Sequence, residues 1–554
     1  MMQMRIRESC PMCDKIMTHK PTLQYFILFA FVLLGCRFAD ELLQGTAGDV
    51  GQYGVARETA VFLLDSQPRT LDPALTYEGP GGVIGQLYSG LVRLDTDLQL
   101  QPELAAGWAV SDDGLIYTFY LRPNVPFHNG RLLTASDVVY SWERAADPAT
   151  GSDTVLTYMG DIAGLAEKRA GEAETIVGLT AVDDHTLQVT LTAPSYTFLP
   201  KLAFPVAYVI DRETVDQPDW ERQPNGTGPF KLSVWQDDEL LILERNDNYY
   251  LEPANIEHLV LNLGAGLPLS LYEQGEIDLV GVGGGNLERA QNPNDPLAAD
   301  LRTGVSFCTS FVGLNSSQPP FDDVRVRQAF NYALDKERLI GTFWDGNALP
   351  AGGILPPGMP GYTGQMAGYP FNPDRARQLL VEAGYEMDEN GRFPAFPTLT
   401  YRTAGYGDAD GFVTALIVLW QEALGVTIEP VIVDPFFYRD ELYAGKVGNI
   451  FDSGWCADYP DPENFLDLLF HSQSPENLGR FANGEIDQAL AMARREMNQT
   501  ARLEQYAAIE QKIVDEAPVV LLAHDLTAVL VSPRLQNFIL TPIGVPQWHR
   551  VWLQ

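Results

Sequence analysis

Apolar positions along the chain follow two periods, and the alternation between them sets the fold class. Ala60 to Leu64 is a continuous apolar run of strand length, and Leu115 to Leu121 is an apolar and aromatic segment bounded by turn residues. Thr186 to Leu191 alternates apolar and polar after a turn at Asp183-Asp184. Helical spacing appears where Asn372 can cap, Pro373 suits the first turn, and Ala376, Leu379, Leu380 and Ala383 share a face that Gly384 ends. Phe412, Leu416, Leu419, Trp420 and Ala423 form a second such face, stopped by Gly425, and Ile486, Ala489, Leu490, Ala493 and Met497 a third. Thr134 with Asp137 reads as a capping box ahead of Val138, Val139 and Trp142. Leu503 to Val514 stays helical until Pro518, after which Val519 to Leu522 reads as a strand. Strands and helices thus interleave over most of the chain, which calls for α/β or mixed domains.

One apolar run does not fit this scheme. Tyr25 to Leu34 is preceded by Lys15, His19 and Lys20 and followed by Gly35-Cys36. About a dozen apolar residues are too few to cross a bilayer core of roughly 30 Å as a helix, but they suit a secretory signal. Leu33-Leu34-Gly35-Cys36 resembles the lipobox of bacterial lipoproteins, which implies a lipid anchor on Cys36. The segment before Met17 is long for a leader and holds acidic Glu8 and Asp14, so translation is expected to begin at Met17; Cys10 and Cys13 are then absent from the protein. Residues 37–56, rich in Gly, Ala and acids without periodicity, read as a tether. Beyond the leader only Cys308 and Cys456 are left, in a compartment that permits disulfides; a bridge and two buried thiols are both open.

Composition narrows the partners. With 554 residues, 45% of them hydrophobic, the chain is long enough for two or three domains. Its 73 acidic against 37 basic residues give a formal charge of -36, which repels nucleic-acid backbones and anionic headgroups. Acidity of this kind also suits a soluble extracytoplasmic surface.

Catalytic signatures are sparse. The sequence contains no HExxH, no GxSxG, no GxxxxGK and no paired CxxC after the leader, and none of its seven His stands four residues from another on a predicted helix. No enzyme, metal or cofactor is expected. Asn225-Gly226-Thr227-Gly228-Pro229-Phe230 opens a strand-like stretch rather than a helix, so it reads as a tight turn using glycine at positive φ. Asp458 and Asp461 could serve a glycosidase as acid and base only if they faced each other, which spacing cannot establish.

Several segments in order carry a resemblance. They are Leu71-Asp72-Pro73, Leu87-Tyr88-Ser89-Gly90-Leu91, Gln101-Pro102-Glu103-Leu104-Ala105 with Trp108, and Phe119-Tyr120-Leu121-Arg122. Phe127-His128-Asn129-Gly130, Thr134-Ala135-Ser136-Asp137-Val138, Ser141-Trp142 and the glycine segment at 226–230 follow. Then come Phe321-Asp322-Asp323-Val324-Arg325-Val326-Arg327-Gln328-Ala329, Asn372-Pro373 with Ala383-Gly384, and finally Gly454-Trp455-Cys456-Ala457-Asp458-Tyr459-Pro460-Asp461-Pro462. Over roughly residues 60 to 545 the chain resembles the family 5 extracellular solute-binding proteins, the group of oligopeptide-, dipeptide- and nickel-binding components of bacterial importers.

The resemblance implies a periplasmic-binding-protein-like type II fold, two hinged lobes plus an inserted third domain. Carried over, 1–36 is the leader, 57–95 with 225–305 and 525–554 form the first lobe, 96–224 the inserted domain and 306–524 the second lobe. It implies a monomer anchored at the extracytoplasmic face of the cell membrane, taking a small peptide and passing it to ABC permease and ATPase subunits. By resemblance Asp458 meets the peptide ammonium, and Arg402 falls near where dipeptide binders place an Arg for the ligand carboxylate. Backbone around Gly454, Trp455, Cys456 and Ala457 can pair with an extended peptide as an added strand does. Trp455 either lines the cavity or packs in the core. Oligosaccharide binders share the fold, and stacking of sugars on Trp455 and Tyr459 would mark that alternative; a secreted hydrolase or a ligand sensor is the reading from another class. No clustered His supports nickel binding.

Overall fold

Two long strands run through most of the molecule and tie its parts together. In the computed structural model, which describes residues 50–79, 81–264, 266–344, 347–407, 409–545 and 548–554, Leu301–Leu314 and Val519–Val531 pair antiparallel along nearly their whole length. The leader, Cys36 and all but the end of the tether lie outside the described residues. The 301–305 half pairs with 526–530, and Leu279–Gly281 adds to the other edge of 519–531 at Val529 to Val531. The 309–313 half pairs with 519–524 and, on its far side, with Ile450–Cys456. Register shifts between Val305 and Thr309, where one half gives way to the other. Val529 and Val531 accordingly pack with Val61, Leu241 and Leu259, while Val312, Leu314, Val520 and Leu522 pack with Leu379, Leu416 and Trp420.

Three bodies hang on this frame. The first uses a four-stranded sheet, Ala60–Leu64, His258–Asn262, Leu240–Arg245 and Phe230–Gln236, with the first pair parallel. The second has a meander of Ala105–Val110, Ile116–Leu121, Thr186–Thr190 and Leu179–Asp183, and its core of buried residues is drawn from Leu91 to Val209 around Trp142 and Phe119, with Ala74 and Tyr459 added from outside that range. The third surrounds the sheet that contains Leu399–Ala404, Ile428–Val433 and Ile450–Cys456.

Helix boundaries obey local chemistry. Asn372 accepts from Arg375 N–H ahead of Pro373–Glu382, the Thr134/Asp137 capping box opens Ala135–Ala145, and Gly425 ends Gly411–Leu424 at φ 65°. The glycine reading at 226–228 needs correction: neither residue has positive φ. They are glycines because a Cβ at Gly226 would sit 2.0 Å from the Leu87 carbonyl oxygen and one at Gly228 2.3 Å from that of Gln86. Close backbone approach, not turn handedness, excludes a side chain there.

Candidate functional site between the lobes

The strand Ile450–Cys456 has one side covered and the other largely open. It pairs with Leu301–Leu314 along its length, but the parallel strand Leu399–Ala404 reaches it only at Ile450 and Phe451. Ala457 N–H donates to Phe307 carbonyl oxygen at 2.8 Å, which sets the phase of the ladder. Residues 453, 455 and 457 therefore turn their backbone groups to the neighbouring strand, whereas Gly454 and Cys456 turn theirs outward. Both are exposed, and both line a cavity of about 480 Å³.

The cavity draws walls from all three bodies. Tyr77 and Gly79 come from the first, Thr154, Tyr158 and Phe204 from the second, and Tyr438, Arg439, Tyr443, Asp458 and Glu476 from the third. A slightly larger cavity of about 580 Å³ lies around Lys336 and His524. Its walls belong to the third body alone, so movement of the lobes would not open or close it.

Asp458 sits just past the open strand, and its orientation is built from the helix that follows. Asp461 accepts from Glu463 N–H at 2.9 Å and starts Glu463–Phe470. That places Asn464, which is fully buried, where its Oδ1 accepts from Trp455 Nε1 at 2.9 Å and from Asp458 N–H at 3.2 Å. Asn464 Nδ2 also donates to Asp458 Oδ2 at 3.2 Å. From across the cleft, Tyr158 Oη donates to the same oxygen at 2.6 Å, its ring stacked on Phe204 with centroids 3.7 Å apart. Both hydrogen bonds fall on Oδ2; among the described residues Oδ1 has no donor and the carboxylate has no ion-pair partner. Burial pushes the Asp458 carboxyl up to about 6, against the Tyr158 and Asn464 hydrogen bonds, and the nearby Glu476 charge adds to the rise.

Arg439 and Glu476 form a second polar group in the same cavity. Arg439 Nη2 donates to Tyr443 Oη at 3.0 Å, Tyr443 Oη donates to Glu476 Oε2, and the guanidinium lies 4.2 Å over the Tyr77 ring from the first body. Glu476 is buried, and burial raises its carboxyl above the usual range although the Tyr443 hydroxyl opposes this.

The structure gathers some of the sequence-predicted residues and scatters others. Gly454, Trp455, Cys456, Ala457 and Asp458 line the cavity together. Cys456 is joined to Cys308 with S–S 2.00 Å, directly opposite it in the ladder, so it offers a ligand no free thiol. Tyr459 has to be withdrawn: it is fully buried in the core of the second body and its hydroxyl donates to Glu463. Arg402 has to be withdrawn too, because its guanidinium is ion-paired with Glu441 outside the cavity. Tyr158, Arg439, Tyr443, Glu476 and Asn464 were not singled out from the sequence. Only Asn464 left a local trace there, a polar residue in an apolar helix six positions after Asp458. The Asp458 and Asp461 pair does not face a common substrate: Asp461 is held by both Arg502 nitrogens at 2.6 and 2.8 Å.

The lobes are drawn together in this structure. Lys201 of the second body pairs with Glu463 of the third at 2.9 Å, beside the Tyr158 to Asp458 contact. Solved structures share the fold. The chain matches the Escherichia coli murein tripeptide binding protein MppA at 25% identity and TM-score 0.78, covering 90% of this chain and 99% of that one. Against the unliganded open form of MppA, at 25% identity and covering 90% and 98%, the score falls to 0.67. In sequence the chain is 29% identical to Heme-binding protein A of Haemophilus influenzae, over 94% of this chain and 96% of that protein. It is 30% identical to the periplasmic oligopeptide-binding protein OppA of Salmonella typhimurium, over 88% and 91%. Its fold is therefore the type II periplasmic-binding one, and its role is to bind a solute rather than to turn one over. Among the described residues no helix is long and apolar enough to cross a membrane. Residues 99–477 match the bacterial extracellular solute-binding proteins, family 5, and the chain belongs to that family.

Proposed function

We propose that the inter-lobe cavity holds a short peptide by its amino terminus and that the protein delivers it to an ABC importer. The observation that carries this reading is the half-satisfied Asp458 carboxylate placed next to the outward-turned backbone of Gly454 and Cys456. A carboxylate removed from water by lobe closure needs a cation, and a hydrogen bond to a charged partner contributes about 1.5–3 kcal/mol. The free edge adds main-chain bonds that do not read side chains. The sugar alternative loses one of its two predicted stacking residues, because Tyr459 is fully buried, while Trp455 keeps its place in the cavity wall. The peptide ligands of relatives such as OppA support the same reading.

In this proposal Cys36 carries a lipid anchor and the folded body works as a monomer at the outer face of the cell membrane; the tether is shorter than the 37–56 expected from sequence and stops at residue 49, because Val50–Tyr53 forms a 3-10 turn and Val55 is buried against Ala60, Phe62 and Ile242. Native mass spectrometry of the protein purified from its cells, beside Asp458→Ala, tests the ligand. Peptide masses that vanish in the variant are the expected result. Sugar masses, or peptides equally retained by the variant, would overturn the assignment.

A further inference from the structure

We propose that the preferred ligand is a basic peptide, with a lysine or arginine side chain set against Glu476. This rests on the peptide reading and deepens it. The charged residues lining the cavity are Asp458, Glu476 and Arg439, two carboxylates against one guanidinium. A peptide with neutral side chains brings one ammonium and one carboxylate, so its net charge is zero and the filled site stays negative. Closure excludes water from that surplus charge, and an uncompensated charge away from water is costly.

Arg439, already counted in that balance, is not locked to Glu476. It is shared, reaching Glu476 through Tyr443 rather than by a direct ion pair, with its Nε buried and without a hydrogen-bond partner. Asp153 adds a further negative charge to the field at Glu476. One additional positive charge on the ligand balances the three lining residues. Glu476, buried and already fixed by Tyr443, is placed to receive it. The formal charge of -36 works in the same direction at long range by drawing cationic solutes to the surface.

The test uses the full-length protein in detergent micelles and calorimetric titration with four defined tripeptides: Ala-Lys-Ala, Lys-Ala-Ala, Ala-norleucine-Ala and Ala-Glu-Ala. Norleucine keeps the length of lysine and drops its charge. At least one lysine peptide should bind about tenfold or more tightly than the norleucine peptide, the ratio that one desolvated charge pair supports. The glutamate peptide should bind most weakly, and Glu476→Gln should collapse the lysine preference to within about threefold. If lysine and norleucine peptides bind alike to the unaltered protein, the basic-ligand inference is wrong while the peptide reading stands. If none of the four binds, both readings fall together. Persistence of the lysine preference in Glu476→Gln would reject Glu476 as its source; should that variant not fold, Glu476→Asp, which keeps the charge and shortens the reach, must weaken the preference for the assignment to hold.

Discussion

Between Asp458 and Asp467 the chain carries four carboxylates within ten residues, and the structure treats them in two different ways. Asp461, Glu463 and Asp467 are each matched to a cation: Arg502, Lys201 and Arg494 respectively. Burial works against the charge on Glu463, yet the Lys201 ammonium, the Tyr459 hydroxyl and the Arg494 charge together outweigh it and hold the carboxyl below its usual range. Asp458 has hydrogen bonds but no cation, and its carboxyl sits at about 6. Of the matched pairs, Lys201 with Glu463 joins the second and third bodies in the closed arrangement, while Arg502 with Asp461 and Arg494 with Asp467 brace the third body. The unmatched one has an electrostatic deficit that a ligand can fill. Acidic side chains close together in sequence can thus be divided into scaffold and site by asking which already have a partner.

Breaking a matched pair should give the largest effect. Arg502 is fully buried and bidentate to Asp461, so Arg502→Met leaves a carboxylate without its counterion and should cost about 3–5 kcal/mol of stability. Adding Asp461→Asn should recover part of that loss, because the stranded charge is gone. Chemical denaturation of the three proteins reads this directly. A single variant as stable as the parent would mean that the Arg502 pair does not brace the third body.

Breaking the unmatched carboxylate should act on the ligand instead. Asp458→Asn should weaken peptide binding about 10- to 100-fold, the value of a charge-assisted hydrogen bond. Its effect on the ligand-free protein has the opposite sign. The folded carboxyl lies at about 6 against an ordinary 3.8, so its contribution to stability is present below the ordinary value and lost as pH rises through about 6. At neutral pH the ionised group is a burden wherever the lobes stay together, and after discounting for its partial exposure its removal should stabilise the closed, empty protein by about 1–2 kcal/mol. Melting curves of empty protein at pH 7.5 test the sign. A destabilised variant would place Asp458 with its matched neighbours.

The division was only partly visible in the sequence. Asp458 and the strand before it stand in one contiguous segment, Gly454 to Pro462, and the helices capped by Asn372 and Thr134 follow local rules that a single window displays. Tyr158, Arg439 and Glu476 enter the site from segments that only the fold brings together; Tyr158 is 300 residues from Asp458, and no short-range pattern marks it. Arg402 failed for the complementary reason. Its partner Glu441 lies 39 residues on, and an arginine already paired looks the same in sequence as a free one. Tyr459 failed because it lies past the end of the strand, where alternation no longer says which way a side chain turns. The disulfide was open between two states until the ladder placed Cys308 opposite Cys456.

Two smaller perturbations sharpen the comparison without removing the carboxylate. If a peptide ammonium pairs with ionised Asp458 as proposed, binding releases whatever proton the empty site holds and lowers the carboxyl below about 6. Affinity should therefore be flat above pH 7 and fall as pH drops through about 6, approaching tenfold per unit once the empty site is mostly protonated. Glu463, already held down by Lys201, should contribute little over the same range. Tyr158→Phe removes the donor at 2.6 Å that helps keep Asp458 ionised, so the midpoint should move upward. The accompanying loss of affinity at neutral pH should be about 0.5–1.5 kcal/mol, the smallest effect in the series. Titration calorimetry from pH 5 to 8 on the parent and Tyr158→Phe separates the two results. An unmoved midpoint with weaker binding would assign Tyr158 to closure of the lobes alone, and a pH-independent affinity would remove Asp458 from the contact with the ligand.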